Sequence, residues 1–276
     1  MLLPMADATK TQPSFPLTRK FLSGFKNAST RTILMMGTLV ELTREMLGFL
    51  LRGQLKPKHF FAQASFVGVD TLGIALILVV FSGMVIALQV APEMARQGAG
   101  VYIGSLLSLA ILRELAPVMT AVAVISMSGS AFAAELSTMQ ITQQIEALRT
   151  LHVSPIRYLV LPRVAAAIVV IPLMTIITAT AGILSGMVVT TWLTDITTVD
   201  FLESVWRQTD FKDLGVSILK SSIFGYIIVS LSTTIGINTR GGAREVGEAT
   251  TKAVVLSFLI VAVFDYVLTY LFYGST

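Results

Sequence analysis

GSAFAAELSTMQITQQIEALRTLHVSPIRYLVLPR, residues 129–163, is the longest well-charged interruption between the apolar segments of this chain. The segments on either side are each long enough to cross a bilayer, so this stretch separates two membrane spans. Within it, apolar residues recur at steps of four, three and three: Ile141, Ile145, Leu148 and Leu151. This spacing predicts an amphipathic helix at about 135–151, ended by Ser154-Pro155 because the residue before proline avoids helical dihedrals. Such a helix can lie on the membrane surface or offer a face to a soluble partner.

The composition is that of an integral membrane protein. Of the 276 residues, 54% are hydrophobic and only 13% are charged, whereas soluble domains carry about 25% charged residues. The sequence contains no cysteine, which excludes disulfides, thiolate metal sites and thiol nucleophiles. His59 and His152 are too few and too scattered to indicate a zinc site. The sequence shows no arrangement of a nucleophile with a base that would indicate an enzyme.

The first sixty residues differ from the rest of the chain. Residues 1–16 are polar and contain several prolines, and we expect a disordered tail there. Residues 17–61 mix basic and apolar side chains without a run long enough for a span. A helical stripe from Ile33 to Leu47 favours an amphipathic helix lying in the cytoplasmic headgroup layer. A soluble helical hairpin is the alternative.

Five apolar segments follow, and the chain is therefore predicted to be an all-α integral membrane protein with an amphipathic N-terminal interfacial helix and five transmembrane helices. The predicted spans are 67–91, about 115–134, 164–192, 216–237 and 253–273. The second belongs to an apolar run that begins at Tyr102 and is too long for one crossing at 1.5 Å per residue. We expect Arg113-Glu114 and Pro117 to divide this run, and 102–112 to be shallow, re-entrant or in the outer interface.

The placement of basic residues predicts the orientation. With the N-terminus inside, fifteen of the twenty Lys and Arg residues fall on the cytoplasmic side, as the positive-inside rule requires. Five spans then put the C-terminus outside. Arg240 and Arg244 form a small cytoplasmic cluster, which could enforce this topology or contact a partner. The sequence shows no internal repeat, so the inverted-repeat design of many secondary transporters has no support.

Four of the ionisable residues within or beside the predicted spans stand out as functional candidates, because a charge inside a membrane is costly unless it has a role. They are Arg113, Glu114, Lys220 and Asp265. Lys220 lies only about 6 Å inside its predicted span and could snorkel to the interface. Alternatively, it pairs with Asp265 across the fourth and fifth spans. A self-contained transporter or channel driven by an ion gradient would use such residues.

Two stretches of the chain closely resemble the signature regions of one family. Residues 111–167, which begin ILRELAPVMTAVAVISMSGSAFAAELSTM, and residues 241–255, GGAREVGEATTKAVV, are similar to the MlaE/YrbE permeases. These permeases are the membrane subunits of MCE-type ABC lipid transporters, and 62–276 would form the permease domain. Met127 stands where family members commonly carry arginine, and Ser137 where they carry glycine, so any role of that arginine is not carried over.

The resemblance implies a non-catalytic permease subunit that moves phospholipid or a similar amphiphile between the inner membrane and a periplasmic MCE protein. The sequence has no G-x-x-x-x-G-K-[ST] phosphate loop. We therefore expect no cofactor in this chain, with ATP and Mg bound by a separate ATPase. The implied partners are a second copy of this chain, two ABC ATPase subunits and an MCE-domain ring, without nucleic acid. The implied location is the inner membrane of a diderm bacterium or, alternatively, the chloroplast inner envelope.

Under this resemblance the helix at 135–151 is expected to couple the permease to the ATPase. Its apolar side would fill a groove on the ATPase, and acidic groups in its first turn suit the helix dipole; the alternative is that this side faces the bilayer. The expected contact residues are Glu135, Thr138, Met139, Ile141, Thr142, Ile145, Glu146 and Leu148. Arg240 and Arg244 are the expected second cytoplasmic contact.

Arg113 and Glu114 are expected to mark a lipid headgroup site. The guanidinium of Arg113 suits bidentate phosphate binding. The carboxylate of Glu114 could hold the guanidinium or meet an amine. The alternative is that Arg113 only snorkels and Glu114 caps the helix before Pro117.

Overall fold

The structure, a computed structural model, describes residues 57–274 together with Arg44 and Gly48. The predicted disordered tail at 1–16 lies outside the described residues, as does most of the predicted interfacial region at 17–61. Neither prediction is therefore tested.

Every regular element within the described residues is helical, which confirms the all-α prediction. The α-helices are α1 (Pro57–Arg96), α2 (Ile103–Ala110), α3 (Ala116–Val124), α4 (Ser130–Ile141), α5 (Gln144–Thr150), α6 (Leu161–Leu193), α7 (Thr198–Gln208), α8 (Phe211–Ile237) and α9 (Ala243–Tyr273). A 3₁₀ turn at Gly100–Tyr102 precedes α2. Three π-helical turns lie at Ile111–Leu115, between α2 and α3, at Ile125–Gly129, between α3 and α4, and at Ile156–Val160, before α6.

Within residues 57–274, five helical runs are long and apolar enough to cross a membrane, as expected, so the chain is a multi-pass membrane protein. The runs are Pro57–Arg96, Gly100–Ile141, Ile156–Leu193, Phe211–Ile237 and Ala243–Tyr273. All five extend beyond the predicted bounds at one or both ends, because charged and polar turns continue the helices past the apolar segments.

The second run is one continuous helical path, so the re-entrant alternative for 102–112 is wrong. Pro117 does not end this path, because it lies in the first turn of α3, where a missing N–H is tolerated. The helix accommodates the proline by widening just before it, into a π-helical turn at Ile111–Leu115. There the N–H of Ala116 donates to the carbonyl of Ile111, five residues earlier.

Close backbone packing holds the bundle together. Helix α1 packs along α6, and a Cβ added at Gly83 would lie 2.5 Å from the carbonyl oxygen of Gly182. The hydroxyl of Ser185 donates to the carbonyl of Val80 across the same contact (3.0 Å). Small residues thus let helices approach where lipid provides no hydrophobic driving force between them.

The arrangement of α8 and α9 brings three distant parts of the sequence together. These helices follow one another in the chain and pack side by side, so the beginning of α8 lies beside the end of α9. The π-turn at Ile111–Leu115 packs against α8 as well. Polar residues from all three segments therefore meet at one end of the bundle.

Candidate functional site

A buried lysine on α8 lies at the centre of this polar cluster. The Lys220 side chain is 0% exposed, and its Nζ donates to the backbone oxygen of Arg113 (2.9 Å), to Oε2 of Glu114 (3.0 Å) and to Oγ1 of Thr269 (2.9 Å). Oδ1 of Asp265 lies 2.6 Å from the same nitrogen. The Thr269 hydroxyl donates onward to Oε1 of Glu114 (2.9 Å), which leaves its oxygen to accept from the lysine. One ammonium group thus links α8, α9 and the π-turn.

The π-turn explains why a backbone oxygen takes part. In a regular helix the carbonyl of Arg113 would accept from the N–H four residues later. Residue 117 is a proline and has no N–H to donate. The Lys220 ammonium donates to that carbonyl instead. The tertiary contact thus replaces the hydrogen bond that Pro117 cannot make.

The Arg113 side chain is held in a second group of contacts beside the first. Its Nε donates to Oδ1 of Asp213 (2.7 Å), and the hydroxyl of Tyr273 donates to the same oxygen (2.8 Å). Oδ2 of Asp213 accepts from the backbone N–H of Asp210 at the start of α8 (3.2 Å). The guanidinium carbon lies 4.2 Å from the centroid of the Tyr273 ring. The Arg113 side chain nevertheless stays 32% exposed, whereas that of Asp213 is buried.

The structure brings all four predicted intramembrane charges into this cluster. Lys220 and Asp265 lie together, and the snorkelling alternative for Lys220 is wrong because its side chain is enclosed. The reason is that α8 begins at Phe211, earlier than expected, which places Lys220 about 14 Å along the helix at 1.5 Å per residue. Glu114 does not cap a helix end, because the helical path continues through it.

Asp213 and Tyr273 are site residues that sequence reasoning missed. Asp213 lies three residues after Asp210, which is a usual spacing for a helix start and suggested no more than a loop acid. Tyr273 is close to the C-terminus and belongs to no motif. Only the pairing of the beginning of α8 with the end of α9 shows their connection to Arg113.

At the other end of the bundle, the predicted helix at 135–151 is not one helix. The second span continues through Glu135 to Ile141 as α4. A turn follows in which Gln143 adopts a left-handed conformation with φ of 59°, and α5 then begins at Gln144. The periodicity misled because apolar residues before the turn (Leu136, Met139) and after it (Ile145, Leu148) still pack into one cluster, whereas Leu151 of the predicted stripe is exposed.

That apolar side is covered by the chain itself. Ile145 is 0% exposed and packs with Leu136 and Leu159. Met139 and Leu148 pack against the same cluster, and Ile141 is half-buried. The expectation that Ile145 fills a groove on a partner, or faces the bilayer, is therefore wrong. Other expected contact residues do remain exposed, namely Glu135, Thr138, Thr142 and Glu146.

A further ion pair, which the sequence also did not reveal, joins α4 to α6 at the base of this segment. Nη2 of Arg163 donates to Oε2 of Glu135 at 2.7 Å, and its Nη1 donates to the carbonyl of Leu159 at 3.1 Å. The Arg163 side chain is only 4% exposed, whereas that of Glu135 is 53% exposed. The guanidinium carbon also lies 5.1 Å from the Phe132 ring centroid.

The predicted second contact lies in the connection between α8 and α9. Arg240 is exposed, and Arg244 is exposed and pairs with Glu248 one turn later (3.0 Å). A buried hydrogen bond of 2.9 Å between the hydroxyls of Ser137 and Thr239 fixes this connection against α4. The Arg240–Arg244 connection and the α4–α5 segment are therefore neighbours.

Comparison with known proteins identifies relatives along most of the chain. The family described as permease MlaE matches residues 60–271. A probable ABC transporter permease protein of Synechocystis is 40% identical over 235 residues, covering 85% of this chain and 89% of that protein. The chloroplastic protein TRIGALACTOSYLDIACYLGLYCEROL 1 of Arabidopsis thaliana is 37% identical, covering 81% of this chain and 64% of that longer protein. A probable ABC transporter permease protein of Pyropia yezoensis is 37% identical, covering 81% of this chain and 85% of that protein.

Proposed function

The chain belongs to the MlaE permease family, and from that premise we propose that it is the permease subunit of an ATP-driven transporter for phospholipid or a similar amphiphile. The observation that carries this proposal is the extent of the family match, which reaches from the first to the last of the five helical runs found in the described residues. The names of the relatives from Synechocystis and Pyropia yezoensis, both probable ABC transporter permeases, support the same class of transporter.

ATP and Mg would be bound by a separate ATPase subunit, because this sequence carries no phosphate-binding loop. Two such subunits would join two copies of the chain, and an MCE-domain ring would receive or deliver lipid on the outer side. The complex would lie in the inner membrane of a diderm bacterium or in the chloroplast inner envelope.

The ATPase contact would use the exposed side of the α4–α5 segment. Thr142 and Glu146 are exposed there, and Leu151, just after α5, is 72% exposed. An exposed leucine at the tip of a polar segment suits insertion into a partner's groove. The Glu135–Arg163 ion pair would transmit movement of this segment to the spans, because it links α4 to α6 at the base of the segment.

Arg113 would contact the phosphate of the lipid headgroup. Its Nε is engaged by Asp213, and within residues 57–274 its terminal nitrogens Nη1 and Nη2 donate no hydrogen bond. The two terminal groups form the planar fork that binds phosphate oxygens in pairs. The partial exposure of the side chain supports access from the membrane.

The composition of the purified complex tests this proposal. Native mass spectrometry of the full chain, extracted in mild detergent from its own membranes, should show two copies of the chain, two nucleotide-hydrolysing subunits and bound phospholipid. Arg113→Ala should lower the bound phospholipid without changing subunit composition, and Arg113→Lys should restore it only in part. A chain that purifies alone and moves substrate without any ATPase would instead support an ion-driven transporter.

A further inference from the structure

The charges of the cluster are divided unevenly between its two parts. One part surrounds the Tyr273 ring and contains Arg113, Lys212 and Asp213. The other surrounds Lys220 and contains Glu114 and Asp265. The first part has a net positive formal charge, and the second part has a net negative formal charge.

The part around Tyr273, which we call the cationic half, has two cations and one carboxylate. Arg113 pairs with Asp213. Lys212 lies on the same aromatic ring, with its Nζ 5.3 Å from the ring centroid, and donates to the carbonyl of Phe272 at 3.1 Å. No carboxylate among residues 57–274 forms an ion pair with Lys212. The cationic half therefore carries a formal excess of one positive charge.

The part around Lys220, which we call the anionic half, has one cation and two carboxylates. Both Glu114 and Asp265 lie within 3.0 Å of the single ammonium nitrogen. An ammonium has three hydrogens to donate, and three of its neighbours already accept them: the carbonyl of Arg113, Glu114 and Thr269. Oδ1 of Asp265 is in ion-pair contact with the ammonium at 2.6 Å but accepts no well-directed hydrogen bond within the described residues. The anionic half therefore carries a formal excess of one negative charge.

The two halves are adjacent because Arg113 and Glu114 are consecutive on the π-turn. Side chains on consecutive helical positions diverge by about 100°, which directs one residue into each half. Both halves have access to the surface, since the side chain of Arg113 is 32% exposed and those of Glu114 and Asp265 are 38% and 21% exposed. A ligand that carries a negative and a positive group a few bonds apart would complement both excess charges.

We propose that this cluster binds a zwitterionic lipid headgroup, with its phosphate at Arg113 and Lys212 and its primary ammonium at Asp265 and Glu114. This rests on the proposed function and narrows its substrate to lipids of the phosphoethanolamine type. Asp213 and Tyr273 are positioning residues, because they act through the guanidinium of Arg113. A primary ammonium has the N–H donors that the surplus carboxylate lacks.

Competition between two lipids that differ in the amine tests this inference. The delipidated full chain is incubated with equimolar phosphatidylethanolamine and phosphatidylglycerol, and the bound ratio is measured by native mass spectrometry. The wild type should favour phosphatidylethanolamine about tenfold, the value of one hydrogen bond between charged groups. Asp265→Asn should bring the ratio to about one while phosphatidylglycerol binding persists. Lys212→Gln should weaken both lipids equally and leave the ratio unchanged.

The matched control is Glu203→Gln, which removes an exposed carboxylate on α7 outside the cluster and should leave the ratio unchanged. Asp265→Asn leaves Lys220 its three acceptors, so the variant is expected to fold; Glu114→Gln serves as the second variant. Equal binding of both lipids by the wild type would overturn the inference. An unchanged ratio in Asp265→Asn would also overturn it, because a bound proton would then neutralise the surplus carboxylate. Either result leaves the proposed function standing, whereas binding of neither lipid counts against that function itself.

Discussion

Replacing Lys220 by methionine should destabilise the bundle more than any other single substitution in the cluster. Methionine preserves the length of the side chain and removes its charge. Glu114 and Asp265 would then face each other without their shared cation, and the hydroxyl of Thr269 would lose the donor that orients it. The carbonyl of Arg113 would also lose the ammonium donor that compensates for the missing N–H of Pro117.

The size of the effect follows from burial. Breaking a buried ion pair by removing one partner costs about 3–5 kcal/mol. The lysine is fully enclosed, but the two carboxylates are partly exposed, so we expect the lower end, about 3 kcal/mol. Adding Asp265→Asn removes one of the two stranded charges and should recover about 1 kcal/mol, within the range for coupled neighbours.

Equilibrium unfolding in mixed detergent micelles measures these differences, and a double-mutant cycle isolates the coupling between Lys220 and Asp265. The wild type, both single variants and the double variant are compared under one condition. A Lys220→Met variant as stable as the wild type would refute this role of the lysine. The role is also refuted if the costs of the two single substitutions simply add, since the carboxylates would then not depend on the lysine.

Three further experiments, with five substitutions in all, test other parts of the structure. Gly83→Ala should cost about 1–3 kcal/mol of stability because its Cβ would meet a backbone carbonyl of α6. The control Gly73→Ala on the same helix meets no atom within 4 Å and should be neutral or stabilising in thermal unfolding. Equal effects of the two substitutions would contradict the close packing of α1 on α6. Ile145→Asp should unfold the α4–α5 segment and lower the melting temperature. Leu151→Asp should keep the fold and reduce ATPase binding in co-purification. Normal ATPase binding by Leu151→Asp would show that Leu151 is not part of the ATPase contact. Glu135→Gln should reduce lipid-stimulated ATP hydrolysis in a complex of normal composition, because a buried guanidinium loses its anion; unchanged stimulation would show that the pair does not transmit movement.

Much of the fold was predictable because membrane spans can be recognised from the local amino-acid composition. A bilayer requires long apolar runs with satisfied backbones, so five spans could be counted from the sequence. Their ends could not, because charged residues extend helices beyond the hydrocarbon. That error placed Lys220 too close to the interface and made snorkelling a reasonable interpretation.

The candidate site was predictable only in part. Rare charges inside spans indicated Arg113, Glu114, Lys220 and Asp265, since such residues are costly unless they have partners. The contribution of Asp213 depends on which helix ends meet in space, and no local pattern records that. Periodicity likewise indicated the apolar side around Ile145 but not whether the chain itself or a partner covers it.

Reconstituted transport tests whether this chain belongs to an ATP-driven lipid transporter. The purified full complex is placed in vesicles, and the transfer of fluorescent phosphatidylethanolamine to acceptor protein is followed with ATP, without ATP and with a non-hydrolysable analogue. We expect transfer that requires ATP hydrolysis and that decreases strongly when this chain carries Arg113→Ala in an intact complex. Transfer that proceeds equally without ATP, or an intact complex that hydrolyses ATP but moves no lipid, would contradict this expectation.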